Sequence, residues 1–122
     1  MMSFGLITAC SAYDIDFKQA QEVIQKYPKE LIILDVRTPL EFKESHLKGA
    51  VNENIDASDF ETKLAKYPKD KKYLVYCATG GQGRKTVKLM KDLGFTQLYH
   101  LAGGIEKWEA QGLPLELAKG HF

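Results

Sequence analysis

The strongest constraint on the fold is a continuous apolar run, Leu31-Ile32-Ile33-Leu34, that ends at Asp35. An unbroken run of this kind is typical of a strand buried on both faces, as in a parallel sheet. A second run, Tyr73 to Tyr76, leads to Cys77, and residues 97–101 form a third. The segments between them have the three-and-four spacing of amphipathic helices. Strands that alternate with helices predict an α/β fold, with a mainly parallel sheet and helices on both faces.

Capping signals locate the first two helices. Asp14 or Asp16 can cap a helix over residues 17–27. Thr38-Pro39-Leu40-Glu41 has a cap residue, a proline at the first helical position and a glutamate at the third, which predicts a short helix continuing to about Ser45.

Later helices have weaker boundary signals. Ser58 is the expected cap of a third helix, and Gly94 the expected end of the helix that follows Cys77. A final helix contains Trp108, which we expect in the core with its indole N–H bonded to backbone or solvent.

Length and composition limit the domain organisation and the partners. A chain of 122 residues is enough for one domain, which we place at residues 13–118, between an N-terminal segment (1–12) and a tail (119–122). The formal charge of +1 provides no strong field for nucleic acid or an acidic membrane. The two cysteines have no zinc-site spacing, so we expect neither a metal nor another cofactor.

The N-terminal segment has two interpretations. Leu6-Ile7-Thr8-Ala9-Cys10 resembles the end of a bacterial lipoprotein signal, but its apolar stretch is short and no positive residue precedes it. In that interpretation the chain begins part-way into a longer precursor, and a lipid on Cys10 anchors a periplasmic protein to a membrane. The alternative is an ordinary first strand, Phe4 to Thr8, in a cytoplasmic protein.

Cys77 is the strongest candidate for a reactive residue. It lies between the apolar strand and a turn that leads into a helix; the turn consists of Ala78, Thr79, Gly80, Gly81, Gln82 and Gly83. Backbone N–H groups of such a turn favour negative charge, which lowers the pKa of a thiol and makes it a nucleophile. The alternatives are a buried cysteine acting as a small hydrophobe and a disulfide with Cys10.

Three stretches resemble signatures of the rhodanese family of single-domain sulfurtransferases. They are Leu34 to Ala50, which contains Asp35-Val36-Arg37 and His46-Leu47-Lys48-Gly49; Tyr76-Cys77 with its glycine-rich turn; and Leu101 to Trp108 with Gly112-Leu113-Pro114. The similarity covers about residues 14–116. It implies a five-stranded, mainly parallel sheet between helices.

The resemblance also implies a covalent mechanism. The Cys77 thiolate takes sulfane sulfur from a small anionic donor such as thiosulfate, and a persulfide forms. Cyanide, glutathione or a protein thiol then accepts the sulfur. The loop residues 78–83 would bind the anion.

One position departs from the family pattern. The family commonly has an arginine five positions after the cysteine, and here that position is Gln82, which has hydrogen-bond donors but no charge. Arg84 or Lys85 can supply the charge instead, although a cation in the first turn opposes the helix dipole. Both can equally be solvated surface residues.

Four further residues are expected near the edge of the site, mainly in structural roles: Asp35, Arg37, Glu41 and His46. Arg37 can pair with either Asp35 or Glu41. His46 is expected to be a structural hydrogen-bonder, the alternative being a proton donor. The sequence indicates no partner for His100 or His121.

Two alternative functions remain open. A related phosphatase or arsenate reductase uses a loop one residue longer, with an arginine six positions after the cysteine, where this chain has Gly83, and often a histidine at the position of Tyr76. A non-catalytic sulfur-relay or binding module would explain the absence of the loop arginine.

Overall fold

A parallel sheet organises the part of the chain that the computed structural model describes, residues 13–118. The elements are β1 (Asp14–Ile15), α1 (Phe17–Lys26), β2 (Leu31–Asp35), α2 (Pro39–Glu44), β3 (Ser45–Leu47), β4 (Val51–Asn52), α3 (Phe60–Ala65), β5 (Lys72–Tyr76), α4 (Gly81–Asp92), β6 (Leu98–Leu101), α5 (Gly104–Ala110) and β7 (Leu115–Leu117). Five strands pair in the order β1-β6-β5-β2-β4, and each neighbouring pair is parallel. The predicted five-stranded sheet is therefore confirmed.

Helices cover both faces of this sheet. Side chains of β2 and β5 point alternately to the two faces, so they enter two separate cores. One core combines strand residues with α3 and α4, and it includes Leu34, Val75, Cys77, Phe60, Leu64, Val87 and Met90. The other combines strand residues with α1 and α5, and it includes Ile33, Leu74, Tyr76, Ala20, Ile105 and Trp108. The indole N–H of Trp108 donates to the Pro114 carbonyl at 2.9 Å.

The capping predictions are confirmed for α1 and α2 and wrong for α3. Asp16 caps α1 by accepting a hydrogen bond from the Gln19 backbone N–H. Thr38 and Glu41 form the capping box of α2. Helix α3 has no side-chain cap, and the Phe60 N–H instead donates to the Ala57 carbonyl at 3.1 Å. Ser58 is not needed as a cap because that backbone turn already satisfies this donor.

A two-stranded antiparallel sheet, formed by β3 and β7, was not predicted. Each strand is three residues long, too short for a visible alternation pattern, and β3 begins at Ser45, where we expected α2 to end. This small sheet is tied to the main sheet through Tyr76, whose hydroxyl accepts from the Leu47 N–H at 3.0 Å.

Arg37 forms a buried ion pair and also holds the start of β3. Its Nη2 lies 2.7 Å from Asp35 Oδ2 and 2.6 Å from the Ser45 carbonyl oxygen. The Asp35 side chain is fully buried and Arg37 is 7% exposed. Of the two predicted partners, Arg37 therefore pairs with Asp35, while Glu41 bonds Thr38.

Several predictions lie outside the described residues. They concern the strand over Phe4 to Thr8, the lipoprotein interpretation of Cys10, the tail (119–122) and His121, and they stay predictions, as do the domain limits of 1–12 and 13–118. Within residues 13–118, no helix is long and apolar enough to cross a membrane.

The buried ion pair leads to a stability prediction. Arg37→Gln should lower the free energy of unfolding by about 3–5 kcal/mol, because it leaves the buried Asp35 carboxylate without its counter-charge. Urea denaturation followed by circular dichroism measures this change. The control is Lys63→Gln, since Lys63 forms only an exposed pair with Asp59 and should have little effect. Equal stability of the two variants would contradict the prediction.

Candidate active site

Cys77 is the first residue after β5, and its sulfur lies beneath the turn that leads into α4. The residue is a free cysteine and is 2% exposed. The backbone N–H groups of Gly80 and Gly83 donate to Sγ, with N–S distances of 3.1 and 3.2 Å. Two oriented N–H groups on one sulfur form a site that stabilises negative charge.

Helix α5 holds the start of this loop in place. The carbonyl of Cys77 accepts from the Ile105 N–H at 3.0 Å, and that of Ala78 from the Glu106 N–H at 3.1 Å. The approach requires glycine at position 104, where φ is +63° and a Cβ atom would lie 2.3 Å from the Ala78 oxygen. Helix α5 therefore fixes the first two peptide groups after β5, next to the glycines whose N–H groups donate to Sγ.

His100 is a neighbour of this thiol that the sequence pattern did not reveal. It lies on β6, beside Val75 of β5, and is 1% exposed. Its ring packs directly under the loop, since a Cβ atom on Gly83 would lie 2.7 Å from His100 Nε2. The expectation that His100 has no partner is wrong: Nδ1 lies 2.8 Å from Asp14 Oδ1.

The sequence position of His100 could have indicated its place beside Cys77, but only if the order of the strands in the sheet were known. In a parallel sheet, paired residues point to the same face, and His100 pairs with both Val75 and Asp14. Cys77 lies two residues beyond Val75 and therefore shares that face. Without knowing that β1 and β5 flank β6, the sequence cannot bring these residues together.

The electrostatic environment favours the thiolate. Burial raises the pKa of the Cys77 thiol, but the His100 side chain and the backbone N–H groups of Gly83, Gly80 and Gln82 lower it. The net pKa is below the ordinary value for cysteine. A thiol of this kind is a nucleophile at a lower pH than a free cysteine is.

The remaining loop residues differ in their exposure to solvent. Thr79, Gly81 and Gln82 are exposed, and Ala78 is half-buried. The Gln82 carbonyl accepts from the Thr86 hydroxyl at 2.9 Å within α4. The exposed edge of the loop therefore carries no charged side chain.

The predicted supporting cations lie elsewhere. Arg84 Nη2 is 2.8 Å from Asp14 Oδ2, so its guanidinium neutralises Asp14 and is not directed at the sulfur. Lys85 is exposed. Asp14 is therefore shared: one carboxylate oxygen binds His100 and the other binds Arg84.

His46 contacts residues of two neighbouring elements. Its Nδ1 lies 2.8 Å from the Phe42 carbonyl oxygen, Nε2 lies 3.1 Å from Glu116 Oε1, and the ring stacks on Phe42 at 3.8 Å. These contacts join α2 and β3 to β7. Residues 13–118 contain no cluster of three His, Cys, Asp or Glu side chains that could hold a metal ion.

Comparison with known proteins agrees with this geometry. The family model for the rhodanese-like domain matches residues 17–111. The chain belongs to the rhodanese-like family. Its named relatives include sulfurtransferases and tRNA uridine hydroxylases.

Named relatives of the rhodanese-like chain include enzymes of different sizes. It is 34% identical over 86 residues to the probable adenylyltransferase/sulfurtransferase MoeZ of Mycobacterium tuberculosis, covering 70% of this chain but 22% of that protein. It is 29% identical to the thiosulfate sulfurtransferase GlpE of Coxiella burnetii, covering 79% of this chain and 86% of the relative. A rhodanese-related protein from Thermoplasma volcanium matches in structure with a TM-score of 0.71 and 29% identity, over 85% of this chain and 97% of that one.

The contact between Gly83 and His100 leads to a test of the loop geometry. Gly83→Ala should lower stability by about 1–3 kcal/mol, because the added methyl group collides with the buried imidazole. It should also slow alkylation of Cys77 by displacing the N–H donor.

The matched control is Gly81→Ala, on the same helical turn, where a Cβ atom would meet nothing within 4 Å. This variant should be as stable as the original or more stable, by at most about 1 kcal/mol. Urea denaturation and iodoacetamide labelling measure both effects. Equal behaviour of the two alanine variants would rule out the proposed contact.

The lowered thiol pKa predicts the pH dependence of reactivity. Below its pKa the thiol is protonated and inert, and above it the thiolate reacts. In Cys10→Ser, which leaves Cys77 as the sole cysteine, alkylation by iodoacetamide should reach half of its maximal rate at a lower pH than for a model cysteine peptide. Intact mass spectrometry over a pH series measures the rate. A midpoint at or above that of the peptide would be inconsistent with a stabilised thiolate.

Proposed function

We propose that this protein is a sulfurtransferase that carries sulfane sulfur on Cys77. The observation that supports this most strongly is a buried sulfur with two backbone N–H donors at the end of a parallel strand, within a rhodanese-like domain. Loop residues 78–83 form the binding site for the donor anion in this proposal. The name of the relative GlpE, a thiosulfate sulfurtransferase, suggests thiosulfate as the first donor to test.

The first step is a displacement at sulfur. The Cys77 thiolate attacks the outer sulfur of thiosulfate, a new S–S bond forms, and the bond to the sulfonate sulfur breaks. Sulfite leaves with the electron pair, so three negative charges are present before and after the step. The persulfide anion that remains is stabilised by the same kind of donors that stabilise the thiolate.

The second step returns the enzyme to its starting state. A thiolate or cyanide attacks the outer sulfur, the new bond forms to the acceptor, and Cys77 leaves as a thiolate. No external oxidant or reductant is required. A covalent intermediate between two half-reactions predicts ping-pong kinetics.

Intact mass spectrometry after incubation with thiosulfate tests the proposal directly. The protein should gain the mass of one sulfur atom, because a single thiolate is stabilised for the attack. Cys10→Ser should keep this adduct and Cys77→Ser should lose it. If neither thiosulfate nor polysulfide adds sulfur to the protein, the proposal is wrong.

A sulfur-relay module is the second candidate, and it is supported by the uncharged Gln82 at the exposed edge of the loop. Without a loop arginine, a free dianionic donor meets less positive charge at this edge. A relay protein would accept sulfur from a persulfide partner and transfer it to a protein thiol much faster than to cyanide. Comparing the two acceptors after preloading Cys77 distinguishes the candidates.

The phosphatase or arsenate reductase alternative is disfavoured by the position of Arg84. Its guanidinium binds Asp14 rather than the loop. Tyr76 stands at the position where a histidine is common, and its hydroxyl accepts a hydrogen bond from the Leu47 N–H. Hydrolysis of an aryl phosphate that is lost in Cys77→Ser would reverse this conclusion.

A further inference from the structure

The buried thiolate requires a positive partner that the loop does not contain. Cys77 is 2% exposed, so its negative charge is largely removed from water. The family's usual arginine position holds Gln82, and Arg84 is occupied by Asp14. Two N–H dipoles remain on the loop side.

His100 contacts the site from the sheet side. Its Nε2 lies against Gly83, and its Cε1 would be 3.8 Å from a Cβ atom on Gly80. These are the two residues whose N–H groups bind Sγ. The imidazole therefore packs against the underside of the loop that holds the sulfur.

The two ring nitrogens of His100 are in different environments. Asp14 Oδ1 accepts from Nδ1, which fixes a proton there, since a carboxylate has no proton to donate. Nε2 is buried and has no hydrogen-bond partner among the described residues. A buried polar atom without a partner is costly, unless it gains one in the working state of the protein.

We propose that His100, held by Asp14, is the positively charged partner of the Cys77 thiolate and replaces the loop arginine that this chain lacks. The proton of the Cys77 thiol moves to His100 Nε2, which produces a thiolate and an imidazolium with no change in total charge. Both ring nitrogens then carry protons, one toward Asp14 and one toward the sulfur. The catalytic part of this inference rests on the proposed sulfurtransferase function.

The pKa directions agree with this geometry. Burial lowers the pKa of His100, but its interactions with Cys77 and Asp14 raise the pKa above its ordinary value. Burial raises the pKa of Asp14, and the contacts with His100 and Arg84 bring it below its usual range. Other ionisable groups line the adjacent cavity of about 300 Å³, and they are Tyr13, Lys88, Lys91 and Asp92.

This assignment has a consequence for the resting enzyme. An imidazolium beneath the loop compensates the thiolate without occupying the exposed edge where the donor must enter. The family's arginine would lie at that edge, whereas here the edge carries Gln82. The donor is therefore selected mainly by backbone N–H groups, while the positive charge that stabilises the thiolate is that of His100, beneath the loop.

The experiment measures thiolate formation rather than sulfur transfer. In a Cys10→Ser background, iodoacetamide labelling of Cys77 is followed by intact mass over a pH series. His100→Asn should slow labelling at pH 7 by about tenfold and displace its rise to higher pH, because an opposite charge beside the sulfur is lost. Asp14→Asn should act in the same direction but more weakly, by about threefold, since an amide still accepts from Nδ1.

The matched control is His46→Asn, since His46 is also a histidine beside a carboxylate, that of Glu116, and its other ring nitrogen lies against the Phe42 carbonyl. Its labelling profile should overlay that of the parent. Thermal unfolding of each variant establishes that the compared proteins are folded.

A rescue separates charge from structure. Adding Gln82→Arg to His100→Asn should restore most of the lost labelling rate at pH 7, because it supplies a cation from the other side of the sulfur. A purely structural defect beneath the loop would not be repaired by an arginine at an exposed position.

If His100→Asn does not fold, the unsubstituted protein still decides the question. Nitrogen NMR should show His100 protonated on both ring nitrogens well above the pH at which a free histidine titrates. This protonation should disappear at neutral pH in Cys77→Ser. A neutral His100 in both proteins would overturn the assignment.

The two proposals fail in different ways. If the parent and His100→Asn have the same labelling profile, His100 is not the partner of the thiolate, even if both accept sulfur. If the parent shows the expected labelling but never gains sulfur, the proposed function is wrong and the thiolate–imidazolium pair remains.

Discussion

Two backbone hydrogen bonds, from Ile105 and Glu106 to the carbonyls of Cys77 and Ala78, fix the start of the loop against α5. Because both carbonyls are bound by α5, the loop starts from a fixed position, and farther along it the N–H groups of Gly80 and Gly83 donate to Sγ. The order of strand, loop and helix in a parallel sheet places this loop at the carboxyl end of a central strand. The position of Cys77 thus follows from the strand order, and that of the start of its loop from the packing of α5.

The site balances one unfavourable effect against several favourable ones. Removing a sulfur anion from water is costly, and burial alone would leave Cys77 protonated at neutral pH. The two N–H groups and the neighbouring imidazole act in the opposite direction. Because His100 is held by Asp14, and Asp14 by Arg84, a chain of polar contacts runs from the imidazole beneath the loop to the surface. An exposed arginine thus supports the site through a carboxylate, without contacting the sulfur.

Local signals in the sequence predicted much of the fold. The apolar runs gave β2 and β5, the capping residues Asp16 and Thr38 gave the starts of α1 and α2, and the family resemblance gave the number of strands. These features depend on residues near each other in the chain. The β3–β7 pair was missed because it joins two three-residue segments that are far apart in sequence.

In the candidate site, too, contiguous residues were predictable and contacts between distant segments were not. Cys77 and its loop are contiguous, so their residue types and spacing identify them together. The partner of His100 could not be predicted, because Asp14 and His100 are brought together only when β1 pairs with β6. The sequence likewise allowed two partners for Arg37. The choice of Asp35 depends on how the end of β2 and the start of β3 lie in space, which the sequence does not show.

The short strand β1 has a consequence for where the working unit begins. The match to the family model starts at residue 17, whereas Asp14 precedes it and β7 follows its end at 111. Trimming the protein to the matched segment would keep Cys77 and the glycine-rich turn but delete the carboxylate that holds His100. A fragment that preserves the surroundings of the sulfur is therefore longer than the segment by which the family is recognised.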